Sequence, residues 1–93
     1  MSTRVTIWLP ALLAQMTGGR REFEAAGANI GEALRDLTKR EPGLATHFFD
    51  EAGGLRRNIL LIHNDDYIRA RDGLSRTLKQ GDRIAIANRV SGG

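Results

Sequence analysis

The stretch LKQGDRIAIANRVSGG, residues 78–93, sets the expectation for the whole fold. Gly81-Asp82 is a turn pair, and the alternation that follows turns Ile84 and Ile86 to the inward side of a final buried strand. The residues after that strand show no helix or strand pattern and end in Gly92-Gly93. Glycine has no Cβ and accepts almost any backbone conformation, so the pattern predicts a compact domain that presents a mobile, narrow C-terminus. A Gly-Gly pair by itself would suit a frayed terminus equally well.

The composition of the chain limits the classes of protein to which it can belong. The chain has 93 residues, of which 41% are hydrophobic, enough for one small domain with a single core. No apolar run approaches the roughly 20 residues that a membrane-spanning helix needs, and no secretory signal is apparent. Cysteine is absent, which excludes disulfides, thiolate metal sites and thiol nucleophiles and favours a cytoplasmic location.

The distribution of charge argues against nucleic acid as a partner. The formal net charge is +3 and the sequence pI is about 10.2, but the arginines and lysines are dispersed rather than clustered with exposed aromatic residues. We therefore expect neither nucleic-acid nor membrane binding. The positive charge favours attraction to an acidic groove on a protein partner.

Two strands are predicted at the start of the chain. Residues 4–9 alternate between two sides, which predicts a half-buried strand with Trp8 on its outward side. Pro10 ends this strand because proline has no N–H to donate to the ladder. The apolar segment 11–16 is expected to cross over the sheet, and a turn then leads into a second strand over residues 21–25.

The clearest helix pattern covers residues 30–40. Asn29 is a favourable N-cap, and Glu32 three residues later makes a capping box. Pro42-Gly43 ends the helix. Apolar residues recur between these signals at the i, i+3, i+4 and i+7 spacing of one helix face, at Ile30, Ala33, Leu34 and Leu37.

The second half of the chain predicts three further strands. Its elements are a loop over 44–55 with one helical turn at 45–48, a strand over 58–63, a turn at 64–65, a returning strand over 67–69 and a turn or short helix from 73, before the final strand. Leu74 and Leu78 are the expected anchors of the last connection. The order is therefore ββαβββ, and we expect an α+β fold with one helix packed on a sheet.

Catalytic side chains are scarce. His47 lies in a loop and His63 ends a strand, without metal-ligand spacing, and we interpret His63 as a packing residue. Asp65-Asp66 at a hairpin tip is typical of turn chemistry, and residues 17–20 lack the lysine and the spacing of a phosphate loop. No nucleophile, base and orienting group stand together, so we expect neither a metal site nor an independent enzyme.

The remaining reactive group is the C-terminal carboxylate of Gly93. A carboxylate is a poor electrophile because it is negatively charged and resonance-stabilised. Joining it to AMP creates an acyl anhydride with a good leaving group, which a sulfur or nitrogen nucleophile can attack. Two terminal glycines allow an enzyme to approach that carbonyl closely.

The order of elements, with GDRIAI at 81–86 leading to VSGG at 90–93, resembles the MoaD/ThiS family of ubiquitin-like sulfur carriers. The segments at 64–69 and 73–78 are also similar to that family's second half. The resemblance implies a β-grasp (ubiquitin-like) fold over residues 1–88, with the helix across a mixed sheet of four to five strands, and a flexible tail over 89–93. It also implies that an E1-like enzyme of the MoeB/ThiF type adenylates Gly93 with ATP. A sulfur donor then converts the terminus to a thiocarboxylate, and the carrier itself binds no cofactor.

Within the family, the chain is most similar to the CysO-type carriers of cysteine biosynthesis. It shares with them the turn at 17–19 and the long connection at 41–57, which make it longer than typical thiamine-type carriers. Residues 87–89 of this chain are Ala-Asn-Arg, whereas molybdopterin-type carriers usually have prolines at these positions. This difference argues against a fit to molybdopterin synthase. The resemblance implies a downstream synthase and a metalloprotease as partners, and cysteine, molybdopterin or a thiamine-type cofactor as the product.

A partner-binding face is predicted on the sheet. If Ile59 and Leu61 point inward, then Leu60 and Ile62 point outward, on the same side as Trp8. Exposed apolar residues on one sheet face suit protein binding, and arginines beside the tail suit an acidic entrance. The predicted contact residues are Trp8, Leu60, Ile62 and Arg83, together with the tail residues Arg89, Val90, Ser91, Gly92 and Gly93.

Two other functions stay open from the sequence. One is a ubiquitin-like modifier that forms isopeptide bonds through Gly93, which needs the same activation. The other is a β-grasp binding module in which the Gly-Gly end is incidental. Deletion of the two glycines separates the classes, because only the binding module should keep its full function.

Overall fold

A computed structural model of the chain describes residues 3–68 and 73–88. The order of its strands and main helix agrees with the sequence pattern. The elements are β1 (Arg4–Trp8), α1 (Ala11–Ala14), a 3-10 turn (Gln15–Thr17), β2 (Glu22–Ala26), α2 (Ile30–Arg40), a second 3-10 turn (Pro42–Leu44), α3 (Ala45–Phe48), β3 (Ile59–His63), β4 (Asp66–Ile68) and β5 (Arg83–Asn88).

The five strands form one mixed sheet in the order β2-β1-β5-β3-β4. Neighbouring strands are antiparallel except β1 and β5, which run parallel. The last strand of the sequence therefore lies in the middle of the sheet, between the first strand and the third. Because α2 packs against one face of this sheet, the expected α+β class and the β-grasp arrangement are confirmed.

The inward face of the sheet and the buried face of α2 form the hydrophobic core. Alternate residues of β1, β2 and β3 are buried, as the period of two predicts. The helix contributes the four apolar residues of its predicted face, and all of them are fully buried. The buried strand residues include Val5, Ile7, Phe23, Ala25, Ile59, Leu61, Ile84 and Ile86.

Helix α2 begins with the predicted N-cap at Asn29, and the reciprocal bond of Glu32 goes to Ala28, one residue before the N-cap that a capping box would use. Asn29 Oδ1 accepts a hydrogen bond from the backbone N–H of Glu32 at 2.8 Å. Glu32 Oε1 in turn accepts one from the backbone N–H of Ala28 at 2.9 Å. The first N–H groups of a helix have no intrahelical partner, so these two contacts fix where the helix starts.

The connection that precedes β5 also binds the start of α2. The N–H of Ile30 donates to the carbonyl of Arg76 at 3.1 Å, and the N–H of Gly31 donates to the carbonyl of Leu74 at 2.8 Å. A Cβ at Gly31 would lie 3.1 Å from that carbonyl oxygen, which explains a glycine inside the first turn. Of the two predicted anchors, Leu78 is buried and Leu74 is half-buried.

Three segments refine the predictions. The segment 11–16, which was expected to cross over the sheet, is α1 followed by the first 3-10 turn, with Leu13 and Ala14 buried. The returning strand begins at Asp66, one residue before the predicted start, because the hairpin closes with a two-residue turn. Its predicted last residue, Arg69, lies outside the described residues. The helical turn at 45–48 is confirmed as α3, and Phe48 is fully buried.

Substitution Asn29→Ala is expected to lower the free energy of unfolding by about 1 kcal/mol, because it removes the N-cap acceptor. Urea denaturation followed by circular dichroism measures this change. Asn58→Ala is the matched control, since Asn58 is exposed and lies outside every helix and strand. An equal loss in both variants would contradict the capping role of Asn29.

Candidate functional site

The outward face of the sheet carries a row of apolar side chains. The strand pairing aligns Trp8 with Ala85, Ala85 with Ile62, and Ile62 with Tyr67. This row crosses four strands. Leu60 and Ala87 pair in the next position and extend it. We call the six residues Trp8, Leu60, Ile62, Tyr67, Ala85 and Ala87 the outer face.

The outer face is open to solvent at both ends. Trp8 is 43% exposed and Tyr67 is 78% exposed, whereas Leu60, Ile62, Ala85 and Ala87 between them are half-buried. Large apolar residues grouped on one solvent-facing surface mark an interaction site more often than isolated ones do. The predicted outward orientation of Trp8, Leu60 and Ile62 is confirmed, and the structure brings all three together.

Tyr67 belongs to this face although the sequence analysis did not select it. The signal was present: a hairpin with a two-residue turn at Asn64-Asp65 places Tyr67 opposite Ile62. Asn64 has a φ of 56°, the left-handed conformation that asparagine tolerates in such turns. Counting from the turn would therefore have paired these two side chains.

Arg83 lies at the border of the outer face. It begins β5 and pairs with Thr6 of β1, one row away from Trp8. Its side chain is exposed, and its backbone N–H donates to Asn64 Oδ1 at 3.0 Å. Arg83 can therefore present its charge beside the outer face while its backbone is held.

The predicted tail follows the central strand. β5 ends at Asn88, which pairs with Ile59 of β3. The chain beyond this point thus starts between β1 and β3, at one end of the outer face. The predicted tail residues Arg89, Val90, Ser91, Gly92 and Gly93 lie outside the described residues.

The free edge of β2 is partly closed by side chains of α2. Asp36 Oδ2 accepts a hydrogen bond from the N–H of Ala26 at 2.9 Å, and Arg40 donates to the carbonyl of Glu24. Asp36 and Arg40 also pair with each other at 3.0 Å. Open edge groups invite another chain to add as a strand. These contacts therefore leave less of the β2 edge open to strand addition.

His63 is buried at the end of β3, with only 7% of its surface exposed. Arg76 Nε lies 2.8 Å from its Nδ1, and Asp82 Oδ2 lies 2.6 Å from its Nε2. A guanidinium N–H can only donate, so Nδ1 accepts and the ring proton is on Nε2, where it is donated to Asp82. Both ring nitrogens are occupied, so the structure gives His63 a structural role through hydrogen bonds, where the sequence predicted packing alone.

Further hydrogen bonds extend this cluster to the hairpin and to the last turn. Asn64 Nδ2 donates to Asp82 Oδ1 at 3.2 Å, and the backbone N–H of Lys79 donates to Asp82 Oδ2 at 2.9 Å. Arg76 Nη2 pairs with Asp66 Oδ2 at 2.7 Å. Asp65 is therefore a turn residue, as predicted, whereas Asp66 begins β4 and forms an ion pair that the sequence did not indicate. We call His63, Asn64, Asp66, Arg76 and Asp82 the polar cluster.

Burial by itself would raise the pKa of Asp82, but the hydrogen bonds from His63, Lys79 and Asn64 outweigh it and lower the pKa from 3.8 to about 2. A carboxylate with these donors stays ionised at any physiological pH. Its effect is to hold together the end of β3, the hairpin turn at Asn64 and the connection before β5.

The part of the chain that the structure describes also bears on metal binding and membrane spanning. Across residues 3–68 and 73–88, no three His, Asp or Glu side chains are grouped so that they could hold a metal ion. In the same residues, no helix is long and apolar enough to cross a membrane. Buried side-chain nitrogen and oxygen atoms there all have a hydrogen-bond partner.

Comparison with known proteins places this geometry in a family. The sequence model of the ThiS family matches residues 7–93, which include all five strands except the start of β1. The chain belongs to the ThiS family. Because the match continues to Gly93, it covers the Gly-Gly end as well as the sheet.

Relatives of this ThiS-family chain match it over nearly their whole length. The sulfur carrier protein CysO of Mycobacterium tuberculosis is 31% identical over 91 residues, which are 96% of this chain and 98% of that protein. A chain in the crystal structure of the Amycolatopsis orientalis BexX/CysO complex is 35% identical, with a TM-score of 0.84, and the match covers 96% of this chain and 99% of that one.

A solved structure of a protein named as a modifier has the same TM-score to this chain. The solution structure of small archaeal modifier protein 1 (SAMP1) from Methanosarcina acetivorans is 31% identical, with a TM-score of 0.84, and the match covers 100% of this chain and 99% of that one. The ubiquitin-like fold and the similarity to the MoaD/ThiS and CysO-type carriers are thus confirmed.

Substitution Asp82→Asn is expected to lower the free energy of unfolding at neutral pH by about 2 kcal/mol, the scale of hydrogen bonds to a charged group. Because the pKa of Asp82 is lowered from 3.8 to about 2 in the fold, its ionised form stabilises the protein above about pH 4. That contribution is lost as the pH falls from about 4 through about 2. The wild type should therefore lose more stability over this interval than Asp82→Asn does.

Denaturant unfolding between pH 7 and pH 2 measures the difference between the two proteins. Asp65→Asn is the matched control, because Asp65 is an exposed turn residue of the same hairpin. A difference between wild type and Asp82→Asn that stays constant down to pH 2 would contradict the assignment.

Proposed function

We propose that the chain is a sulfur-carrier protein whose C-terminal Gly93 is activated and converted to a thiocarboxylate. The observation that carries the proposal is the end-to-end match to the sulfur carrier CysO, together with the Gly-Gly terminus that follows the central strand. The match covers 98% of that carrier.

The proposed chemistry takes place at the terminal carboxylate. An oxygen of the Gly93 carboxylate attacks the α-phosphorus of ATP, and pyrophosphate leaves. A hydrosulfide-level donor then attacks the acyl carbon of the adenylate, the C–O bond to AMP breaks, and a C–S bond remains. The product is a thiocarboxylate, which passes its sulfur to a later acceptor.

This chain would serve these steps as a substrate. Both nitrogens of His63 are engaged in hydrogen bonds, so we propose no catalytic role for this side chain. An E1-like enzyme of the MoeB/ThiF type supplies the ATP site, and the carrier binds no cofactor of its own. Since ATP is consumed, we propose the cytoplasm as the location.

The fold supports this role by holding the start of the tail. β5 pairs with β1 on one side and with β3 on the other, so the base of the tail is rigidly placed. Five residues after Asn88 reach at most about 17 Å when fully extended. A partner that takes Gly93 into its active site must therefore contact the domain near the end of β5.

We assign the contact with the activating enzyme to the outer face. Its exposed ends, Trp8 and Tyr67, are of the residue types most often found at binding hot spots. Arg83 lies at its border and can be attracted to an acidic entrance on the partner. The downstream synthase and a metalloprotease that releases product are proposed as later partners, as for CysO-type carriers, with cysteine as the preferred product.

A protein modifier is the second candidate. The equal structural similarity to SAMP1, named a small archaeal modifier protein, favours it. Activation of Gly93 would be the same in both functions. They differ in the nucleophile that attacks the acyl carbon: a sulfur donor in a carrier, and the amino group of a lysine in a modifier.

The carrier function predicts a change in the intact mass of the chain. Incubation with a competent MoeB/ThiF-type enzyme, ATP and sulfide is expected to add the mass difference between sulfur and oxygen, localised to the C-terminal peptide. Deletion of Gly92-Gly93 should abolish the change, because the activated carbonyl is then lost. High-resolution mass spectrometry of the intact chain and of its peptides measures both.

The control is the enzyme's own carrier, treated in parallel to show that the enzyme is active. No mass change in this chain beside a positive control would contradict the carrier proposal. Adducts joined to lysine side chains in cell extracts, without any thiocarboxylate, would instead support the modifier.

The assignment of the outer face to the activating enzyme predicts that charged substitutions there weaken recognition of the chain. Trp8→Asp and Tyr67→Asp are each expected to raise the Michaelis constant of the activating enzyme for this chain by about tenfold, which corresponds to about 1.4 kcal/mol. Pyrophosphate release at varied chain concentration measures it. Thr46→Asp on α3 is the control, because that exposed residue belongs to an element on the core side of the sheet. Equal effects at all three positions would remove the outer face as the contact.

A further inference from the structure

A second apolar surface lies at the end of the sheet where β5 stops. It is a groove of about 370 Å³, which we call the end groove. The proposed function does not use this groove. It is lined by Leu12, Leu13, Gln15, Met16, His47 and Asn58.

The two sides of the end groove flank the point where the chain leaves the sheet. On one side, β1 passes through Pro10 directly into α1, which carries Leu12. On the other side, Asn58 immediately precedes Ile59, and Ile59 pairs with Asn88, the last residue of β5. Since β5 lies between β1 and β3, its last residue, Asn88, lies between the elements that carry the two sides of this groove.

Half of the lining residues are apolar, and two of these are exposed to solvent. Leu12 is 64% exposed and Met16 is 46% exposed, and within residues 3–68 and 73–88 the other large exposed apolar side chains are Trp8 and Tyr67 of the outer face. Leu13 is buried and forms part of the floor. Methionine is flexible and polarisable, which suits reversible contact with a neighbouring apolar group.

The rest of the lining suits an extended backbone that ends in a carboxylate. Gln15, His47 and Asn58 offer amide and imidazole groups that can donate to carbonyl oxygens. None of the six lining residues is an aspartate or a glutamate, so the lining carries no charge that would repel a C-terminal carboxylate.

We propose that the end groove is the docking site of the chain's own C-terminal segment, residues 89–93. Val90 is the large apolar residue of this segment and stands two residues after Asn88, within about 7 Å of it when extended. It would contact Leu12 and Met16. Docking within one molecule needs no association step, so even a shallow groove can hold the segment part of the time.

Docking would give the carrier two states. In the docked state the Gly-Gly end lies against its own domain, and in the released state it can enter a partner's active site. Because the outer face and the end groove both border the end of β5, a partner bound to the outer face would meet the segment as it leaves the groove. This inference concerns the free protein and does not depend on the sulfur chemistry.

The test uses the full chain alone and a paramagnetic label on the tail. The chain has no cysteine, so Ser91→Cys introduces a single attachment site for a nitroxide. The methyl signals of Leu12 and Met16 are then observed by NMR, with Leu74 as a reference on the connection before β5. We expect strong broadening at Leu12 and Met16 in dilute protein.

The deciding comparison is Val90→Ser in the Ser91→Cys background. It leaves the tether unchanged and removes the apolar anchor, so docking predicts that broadening at Leu12 and Met16 falls by about twofold or more. Arg89→Gln, which keeps Val90, is the matched control and should leave the broadening unchanged. A segment that only diffuses near its attachment point would give the same broadening with Val90→Ser, which would overturn the proposal.

A second arm separates the chain's own segment from that of another copy. Isotope-labelled protein without a nitroxide is mixed with unlabelled protein that carries the nitroxide. Broadening at Leu12 and Met16 in this mixture would show that another copy's tail fills the groove and would also overturn the proposal. An unaffected spectrum in the mixture, with broadening in the singly labelled chain, supports docking within one molecule.

Discussion

The central position of the last strand is the constraint on which the rest of the structure depends. β5 pairs with β1 and β3, so the sheet is continuous only after the two ends of the chain have met. The turn before β5 is bound to the start of β1, since the N–H of Gly81 donates to the carbonyl of Arg4 and the N–H of Thr6 donates to the carbonyl of Asp82. A segment that follows such a strand therefore starts from a rigid base, as the proposed carrier function requires.

The polar cluster stabilises the sheet at the start of β5, which is the end of the strand opposite to the tail. His63 is the buried polar side chain among the described residues, and it is satisfied by Arg76 and Asp82. Through these contacts the connection 73–82 is joined to the end of β3, and through Arg76 its backbone is joined to the first turn of α2. Buried groups of this kind cost free energy unless every donor and acceptor is paired, so one cluster couples helix, hairpin and last strand.

The two faces of the sheet have different tasks. The inward face is covered by α2 and forms the core, whereas the outward face keeps Trp8 and Tyr67 in solvent. The part of an aromatic side chain that stays in water adds no stability to the isolated domain, and grouped apolar surface of this kind is typical of contact with a partner. Asp36 and Arg40 cover part of the β2 edge, which directs such contacts to the flat face.

The sequence by itself determined the elements with local signals: the capped helix α2, the alternating strands, the hairpin turn at 64–65 and the Gly-Gly end. It also determined which side of each strand is buried, because that side follows from a period of two. Only the tertiary structure decided which strands are neighbours and which side chains therefore meet, such as Tyr67 with Ile62, His63 with Asp82, and the two sides of the end groove. The physical reason is that periodicity depends on neighbouring residues, whereas strand order and register depend on contacts between distant parts of the chain.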